Sequence, residues 1–194
     1  SISGGLLSST AFTSYIQGVQ LGADIDGEAS DDQSGWSVSF SSDGSRVAIG
    51  APNNDAGNGV GDNRGHVRIY DYNGSAWVQV GADIDGEAAN DSSGYSVSLS
   101  SDGSRVAIGA YGNDGNGITS GHVRIYNYNG SVWVQVGADI DGEATSDNSG
   151  WSVSLSSDGS RVAIGARGND GNGTRSGHVR IYNYNGSAWV QVGA

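Results

Sequence analysis

The 194-residue chain contains no cysteine, no methionine and no lysine, and a single proline, Pro52. Without cysteine, disulfide frameworks, thiolate zinc sites and cysteine nucleophiles are excluded, while either redox compartment is compatible. No apolar run reaches the ~18–20 residues that a membrane helix needs, so no segment is expected to span a bilayer. Arginine supplies all 9 basic residues against 21 Asp and Glu, a formal net charge of −12. That balance opposes binding to nucleic acid or anionic lipid, because phosphate contacts need basic patches. The 34 glycines follow no G-x-y period, which excludes collagen. A chain that opens at Ser1 and carries no methionine is expected to be a processed or excised product, with no signal peptide left to read.

What is present is a repeat. GADIDGEA occurs at 22–29, 81–88 and 137–144, and the chain stops on a fourth GA, at spacings of 59, 56 and 56 residues. Each period continues through SG[WY]SVS[FL]SSDGSRVAIGA, an Asn/Asp/Gly loop, GHVRIY and YNGS[AV]WVQV. Internal self-similarity of this length marks a repeat architecture. The first period's three extra residues fall between Ala51 and His66, where a surface loop absorbs them at small entropic cost. Four runs per period have strand character: 96–100 alternates apolar and polar residues, while 105–109, 122–126 and 133–136 are rich in β-branched and aromatic residues. Asp-Gly and Asn-Gly turns separate them. The expected fold is all-β, with tandem four-stranded antiparallel blades in a propeller-like array. Expected units are an extension over 1–21 and blade repeats over 22–80, 81–136 and 137–194.

The segment GYSVSLSSDGSRVAIGA…GHVRIY, with a complete GAP at Gly50–Pro52, resembles the FG-GAP repeat of integrin alpha-subunit propellers and related bacterial and algal surface proteins. The resemblance covers residues 34–72, 93–128 and 149–184. It implies a propeller fold and a surface location. The family's calcium loop, D-x-D-x-D-G-x-x-D, has no counterpart here, because SSDGSR stands in its place. Its metal site is therefore not carried over to Asp43, Asp102 or Asp158.

A different acidic spacing recurs. Asp24, Asp26, Glu28 and Asp32 stand at relative positions 1, 3, 5 and 9, as do Asp83, Asp85, Glu87, Asp91 and Asp139, Asp141, Glu143, Asp147. Alternating carboxylates on a turning loop suit calcium, which takes six to eight oxygen ligands. The same residues equally suit an acidic solvated loop whose Asp side chains bond local backbone N–H groups. His66, His122 and His178 alternate with Arg68, Arg124 and Arg180. Their threefold recurrence favours a cross-strand ladder over a catalytic set. No G-x-S-x-G, H-E-x-x-H, P-loop or dinucleotide fingerprint occurs, so an enzyme is not expected. Trp77, Trp133, Trp189 and Trp36, Tyr95, Trp151 are expected to fill space between sheets, with stacking platforms for sugars as the other use. Asn73, Asn129, Asn185, Asn90 and Asn172 begin N-x-[ST] sequons. Turn geometry alone also accounts for Asn-Gly at a hairpin tip.

Propellers usually close with ~4–8 blades, and three are encoded. Two chains closing a six-bladed ring, a cut from a longer propeller, a trefoil-like closure and an open stack would each resolve the shortfall. Residues Ala11, Phe12, Tyr15, Ile16, Val19 and Leu21 form a candidate strand that would clasp its own chain or add to a neighbour's sheet edge. The expected function is that of an extracellular, non-enzymatic structural protein assembling with itself through strand pairing, its tips available to glycans. A cell-surface adhesion module binding carbohydrate or protein, with calcium, is the alternative.

Overall fold

The chain is described by a computed structural model over residues 18–57 and 59–193. Three antiparallel sheets follow one another along the chain. The first holds β1 (Ser37–Phe40), β2 (Arg46–Ala51), β3 (His66–Tyr72) and β4 (Trp77–Gln79). After the two-residue β5 (Ile84–Asp85) comes the second, with β6 (Ser96–Leu99), β7 (Arg105–Ala110), β8 (His122–Tyr128) and β9 (Trp133–Gln135). Past β10 (Ile140–Asp141), the third holds β11 (Ser149–Leu155), β12 (Arg161–Ala166), β13 (His178–Tyr184) and β14 (Trp189–Gln191). Among the described residues there is no helix. The strands sit where alternation and turn chemistry place them, and the sheets are propeller-like blades.

The turns explain why the strands end where they do. In the β1–β2 turn, Asp43 Oδ1 accepts from Ser45 N–H at 3.0 Å and Ser41 Oγ at 2.7 Å, and Gly44 takes φ +70°. These donors favour the ionised carboxylate and hold Asp43 at about 2, with the Ser45 N–H first among the causes; Asp158, in the matching turn of blade 3, is also held at about 2, led by Ser156. At the β3–β4 turn, Asn73 Oδ1 accepts from the N–H groups of Ser75 and Ala76. This is the local side-chain-to-backbone bonding for which Asn is favoured in turns.

The DIDGEA segment does not begin a blade. Ile84 and Asp85 pair with Val67 and His66 of the preceding sheet, and Ile140 and Asp141 pair with Val123 and His122. Each segment is a strap that closes one sheet on its outer side and then leads to the next. The repeat boundaries at 81 and 137 thus fall inside this join.

Alternation assigns the remaining side chains to two faces. On blade 2 the front, towards blade 1, carries Val97, Leu99, Val106, Ile108 and Tyr126, and the back carries Ala107, Val123 and Ile125. The first seam packs Ala48, Val67 and Ile69 of blade 1, with Ile84 of the strap, against the blade 2 front. The second repeats it with Ala107, Val123, Ile125 and Ile140 against Val162, Ile164 and Tyr182. Burial of such side chains contributes roughly 25 cal/mol per Å² of apolar area.

The seams also need glycine. A Cβ on Gly109 would lie 2.1 Å from the Gly150 carbonyl oxygen, and one on Gly50 2.0 Å from that of Gly94. On blade 3, a Cβ on the counterpart Gly165 meets only the Ser152 Oγ closely. Gly109→Ala is expected to destabilise by about 3 kcal/mol, and Gly165→Ala by less than about 1 kcal/mol, in urea denaturation at low protein concentration. Carboxyl titration by NMR should place the midpoints of Asp43 and Asp158 at about 2, against the ordinary 3.8. Because the fold lowers these values, their contribution to stability is complete above pH 3.8 and is lost as pH falls from there to about 2. Ser45→Ala should move Asp43 upward.

Candidate functional site

The strap and the third strand of each blade bring ionisable groups together. Glu28 from the incoming strap and Asp83 from the outgoing one flank His66, whose Nδ1 stands 3.7 Å and 3.9 Å from their carboxylate oxygens. In blade 2, Glu87 and Asp139 flank His122 at 4.0 Å and 3.7 Å. In each trio the ligand-type atoms all lie within 4.8 Å of one another. Blade 3 repeats half of the arrangement, with Glu143 3.7 Å from His178 Nδ1. The histidine side chains are 2% and 1% exposed in blades 1 and 2. Burial holds both imidazoles below the usual value, against the opposing pull of the flanking carboxylates, so the rings are neutral near pH 7. Arg68, Arg124 and Arg180 lie two residues on. Each donates from Nη2 to a strap carbonyl, that of Asp26, Asp85 or Asp141, and Arg124 Nη1 stands 3.5 Å from Glu87.

The four carboxylates of one DIDGEA run do not converge on a point. Asp32, Asp91 and Asp147 are buried, where each accepts from a loop N–H (Ala29, Ala88, Ala144) and from the amide of Asn54, Asn113 or Asn169. They brace the loop. Asp24, Asp83 and Asp139 accept from Gln20, Gln79 and Gln135 at 2.6–2.7 Å. Asp26, Asp85 and Asp141 keep their side chains in solvent. Among the described residues, the trios that gather combine Glu of one run with Asp of the next, around a histidine. The histidines escaped the spacing argument because they stand 35–38 residues from one carboxylate and 17 from the other. The one available signal was their invariant place beside the arginine in GHVRIY.

Around the first trio lies a cavity of about 540 Å³, lined by Glu28, Asp32, Asn54, His66, Asp83 and residues of the loop that carries the three-residue insertion. The loop beside the first trio is three residues longer than its counterparts in blades 2 and 3.

The aromatic residues pack. Trp77, Trp133 and Trp189 each stack on the tyrosine across the hairpin, with centroids 5.2 Å apart, and donate from Nε1 to the carbonyls of Leu21, Val80 and Val136. Arg46 of blade 1 reaches over Tyr128 and Trp133 of blade 2, and Arg105 over Tyr184 and Trp189 of blade 3. Trp36, Tyr95, Tyr111 and Trp151 form a contacting row across the blades. The five sequon asparagines, Asn73, Asn90, Asn129, Asn172 and Asn185, are all exposed.

Of the candidate assembly strand, Ala11, Phe12, Tyr15 and Ile16 lie outside the described residues. Val19 and Leu21 are exposed and belong to no strand. The two ends of the array are instead apolar faces. Val38 and Phe40 on the front of blade 1 are 60% and 57% exposed, where Val97 and Leu99 are 9% and 7%. Val179 and Ile181 on the back of blade 3 are 64% and 45% exposed, where Val123 and Ile125 are 0% and 2%. The Arg161 guanidinium, counterpart of Arg46 and Arg105, is exposed and has no partner among the described residues.

These observations define a class: an all-β array of four-stranded, propeller-like blades joined by straps. The FG-GAP repeat family matches residues 82–126 and 138–182, so these two segments carry the FG-GAP-like repeat that the sequence resembles. No curated protein matches it in sequence. Among solved structures it is similar to 6-phosphogluconolactonase designates from Bacteroides uniformis (16% identity, TM-score 0.52, 81% of this chain and 39% of that one) and Bacteroides fragilis (14%, 0.53, 80% and 36%). A periplasmic gluconolactonase of Pseudomonas aeruginosa is similar to the same degree (16%, 0.52, 81% and 44%). The chain spans well under half the length of these proteins, and at such identity the likeness is one of fold.

They correct one expectation. The chain was expected not to be an enzyme because its candidate groups recur identically, yet proteins designated as lactonases share its fold. Recurrence of a blade's side chains does not bar chemistry, since a single altered loop changes the surroundings of one copy, and the loop of blade 1 is altered here. Asp91→Ala is expected to cost about 1–3 kcal/mol, and Asp85→Ala no more than about 0.5 kcal/mol, in thermal denaturation. The first leaves the Ala88 N–H and the Asn113 amide without their acceptor, whereas the second removes only a solvated carboxylate.

Proposed function

We propose that this chain is an extracellular structural module that joins head to tail with further copies of itself, the back of blade 3 receiving the front of blade 1. The observation that carries this reading is the complementarity of the two exposed ends. Each is half of a seam that the molecule already makes twice. Val179 and Ile181 stand in the register of Val123 and Ile125, which pack the next blade, and Val38 and Phe40 in that of Val97 and Leu99. The polar halves match as well. Ser37 and Ser96 donate to the carbonyls of Gly94 and Gly150, so Ser152 would donate to Gly35 of the next copy. Arg161 would reach Tyr72 and Trp77, as Arg46 and Arg105 reach theirs. Ile25 of the first strap would pair with Val179 as Ile84 pairs with Val67. Val192 and Gly193 correspond to Leu21 and Gly22, so the outgoing end of one copy must step aside for the incoming strap.

Such a contact is heterologous. It closes a ring if its rotation allows and otherwise runs on as a filament. Leaving both faces bare would expose apolar surface and sheet edges, an association hazard in its own right. Extracellular placement is supported by the resemblance to surface-protein propellers and by the exposed sequons, which would take glycans in a glycosylating host. A second reading, adhesion to carbohydrate, is favoured by the contacting row Trp36, Tyr95, Tyr111 and Trp151.

Sedimentation and electron microscopy of the full chain test the first reading. Wild type should grow in mass with concentration. Phe40→Lys and Ile181→Lys should each stay monomeric alone, and a mixture of the two should form dimers and nothing larger, because only one pair of intact faces remains. A wild-type chain that stays monomeric at every concentration, or a mixture that forms no dimers, refutes it.

A further inference from the structure

We infer that two of the histidines opening the third strand of a blade centre divalent transition-metal sites of the zinc class, Glu28–His66–Asp83 and Glu87–His122–Asp139. Neither site rests on the head-to-tail reading above.

A trio of carboxylates and histidine could be an exposed acidic patch, but the histidines here are not exposed. His66 and His122 are buried almost completely, and neither ring makes a hydrogen bond among the described residues: Nδ1 meets carboxylate oxygens only at 3.7–4.0 Å, beyond hydrogen-bond reach. Nε2 of His122 is likewise buried with no partner. In His122 this buried Nε2 is left unpaired at a cost in desolvation. Nδ1 is the atom aimed at the two carboxylates, so a cation between them would satisfy all three groups at once. Zinc bonds of about 2.0–2.2 Å to N and O place neighbouring ligand atoms roughly 3.3–3.5 Å apart. The Nδ1–carboxylate separations of 3.7–4.0 Å exceed this by a few tenths of an ångström, and all three ligand atoms lie within 4.8 Å of one another, within the reach of side-chain adjustment.

The donor set chooses the metal. One imidazole nitrogen and two carboxylates suit zinc and its first-row neighbours, whereas calcium takes six to eight oxygens and no nitrogen. Three protein ligands leave the remaining position to water. Each site also spans a join, since Glu comes from the strap entering the blade and Asp from the strap leaving it. A bound cation would therefore tie both straps to the blade between them.

The test is zinc titration of the chelator-stripped full chain, by calorimetry and by elemental analysis after dialysis, with cobalt(II) absorption as a coordination probe. The full chain should bind two equivalents. His66→Gln and Glu87→Gln should each remove one equivalent; Glu87 is exposed, so that variant keeps the test valid if His66→Gln does not fold. No stoichiometric zinc or cobalt in a chain that still associates overturns the metal inference and leaves the assembly reading intact. Calcium binding that is insensitive to His66→Gln overturns it too. Two equivalents in a wild type that never associates uphold the sites while refuting the assembly reading.

Discussion

The seams between blades depend on one contact, the approach of a strand glycine to the backbone of the next blade. Gly50 faces Gly94 and Gly109 faces Gly150 at distances that exclude a Cβ. This approach lets Ser37 and Ser96 reach across to carbonyls, brings Leu99 and Leu155 N–H groups within reach of Ser39 and Ser98 hydroxyls, and closes the apolar layer behind them. Widening it by the width of a methyl group would break polar and apolar contacts together. The strap belongs to the same construction. Its carbonyls receive the arginines of the following blade, and the residues just ahead of it, Val80 and Val136, receive the tryptophan indoles, so blades 2 and 3 are held by the segment that also closes the blade before.

Much of the fold was legible in the sequence because it rests on local chemistry. Strict alternation in SVSLS, Asp43 and Asn73 in their turns, and Gly at positive φ all act within a few residues, so strands and turns fall where those signals are. The strap was not legible. It pairs through only Ile84 and Asp85, too short a run to show a period, and its partners lie in the preceding repeat. The carboxylate spacing in DIDGEA suggested a single site for the same reason that it misled. Sequence neighbours on an extended strap point to different surroundings, and Asp91 turns inward to Asn113 while Glu87 turns to His122. Trp77, Trp133 and Trp189 were anticipated as packing, and they pack on the hairpin tyrosines. Their choice of partner across a seam, with Arg46 over Tyr128, has no trace in local spacing.

Charge is distributed to suit this construction. The arginines are few, and those with partners spend them at joins: Arg46 on Asp71 and on the Gly103 carbonyl, Arg105 on Asn127 and the Gly159 carbonyl, Arg68 and Arg124 on straps. Carboxylates remain in excess on the outside, where a net charge of −12 keeps molecules apart except where a specific face overcomes it.

Since the two internal seams are built from the same residues, a further 56-residue unit inserted between blades 2 and 3 would meet ready-made surfaces on both sides. Loss of one would leave the terminal faces unchanged. Blade number is thus a quantity that unequal recombination can alter without any side chain having to adapt, and lineages carrying this unit are free to differ in length before they differ in sequence.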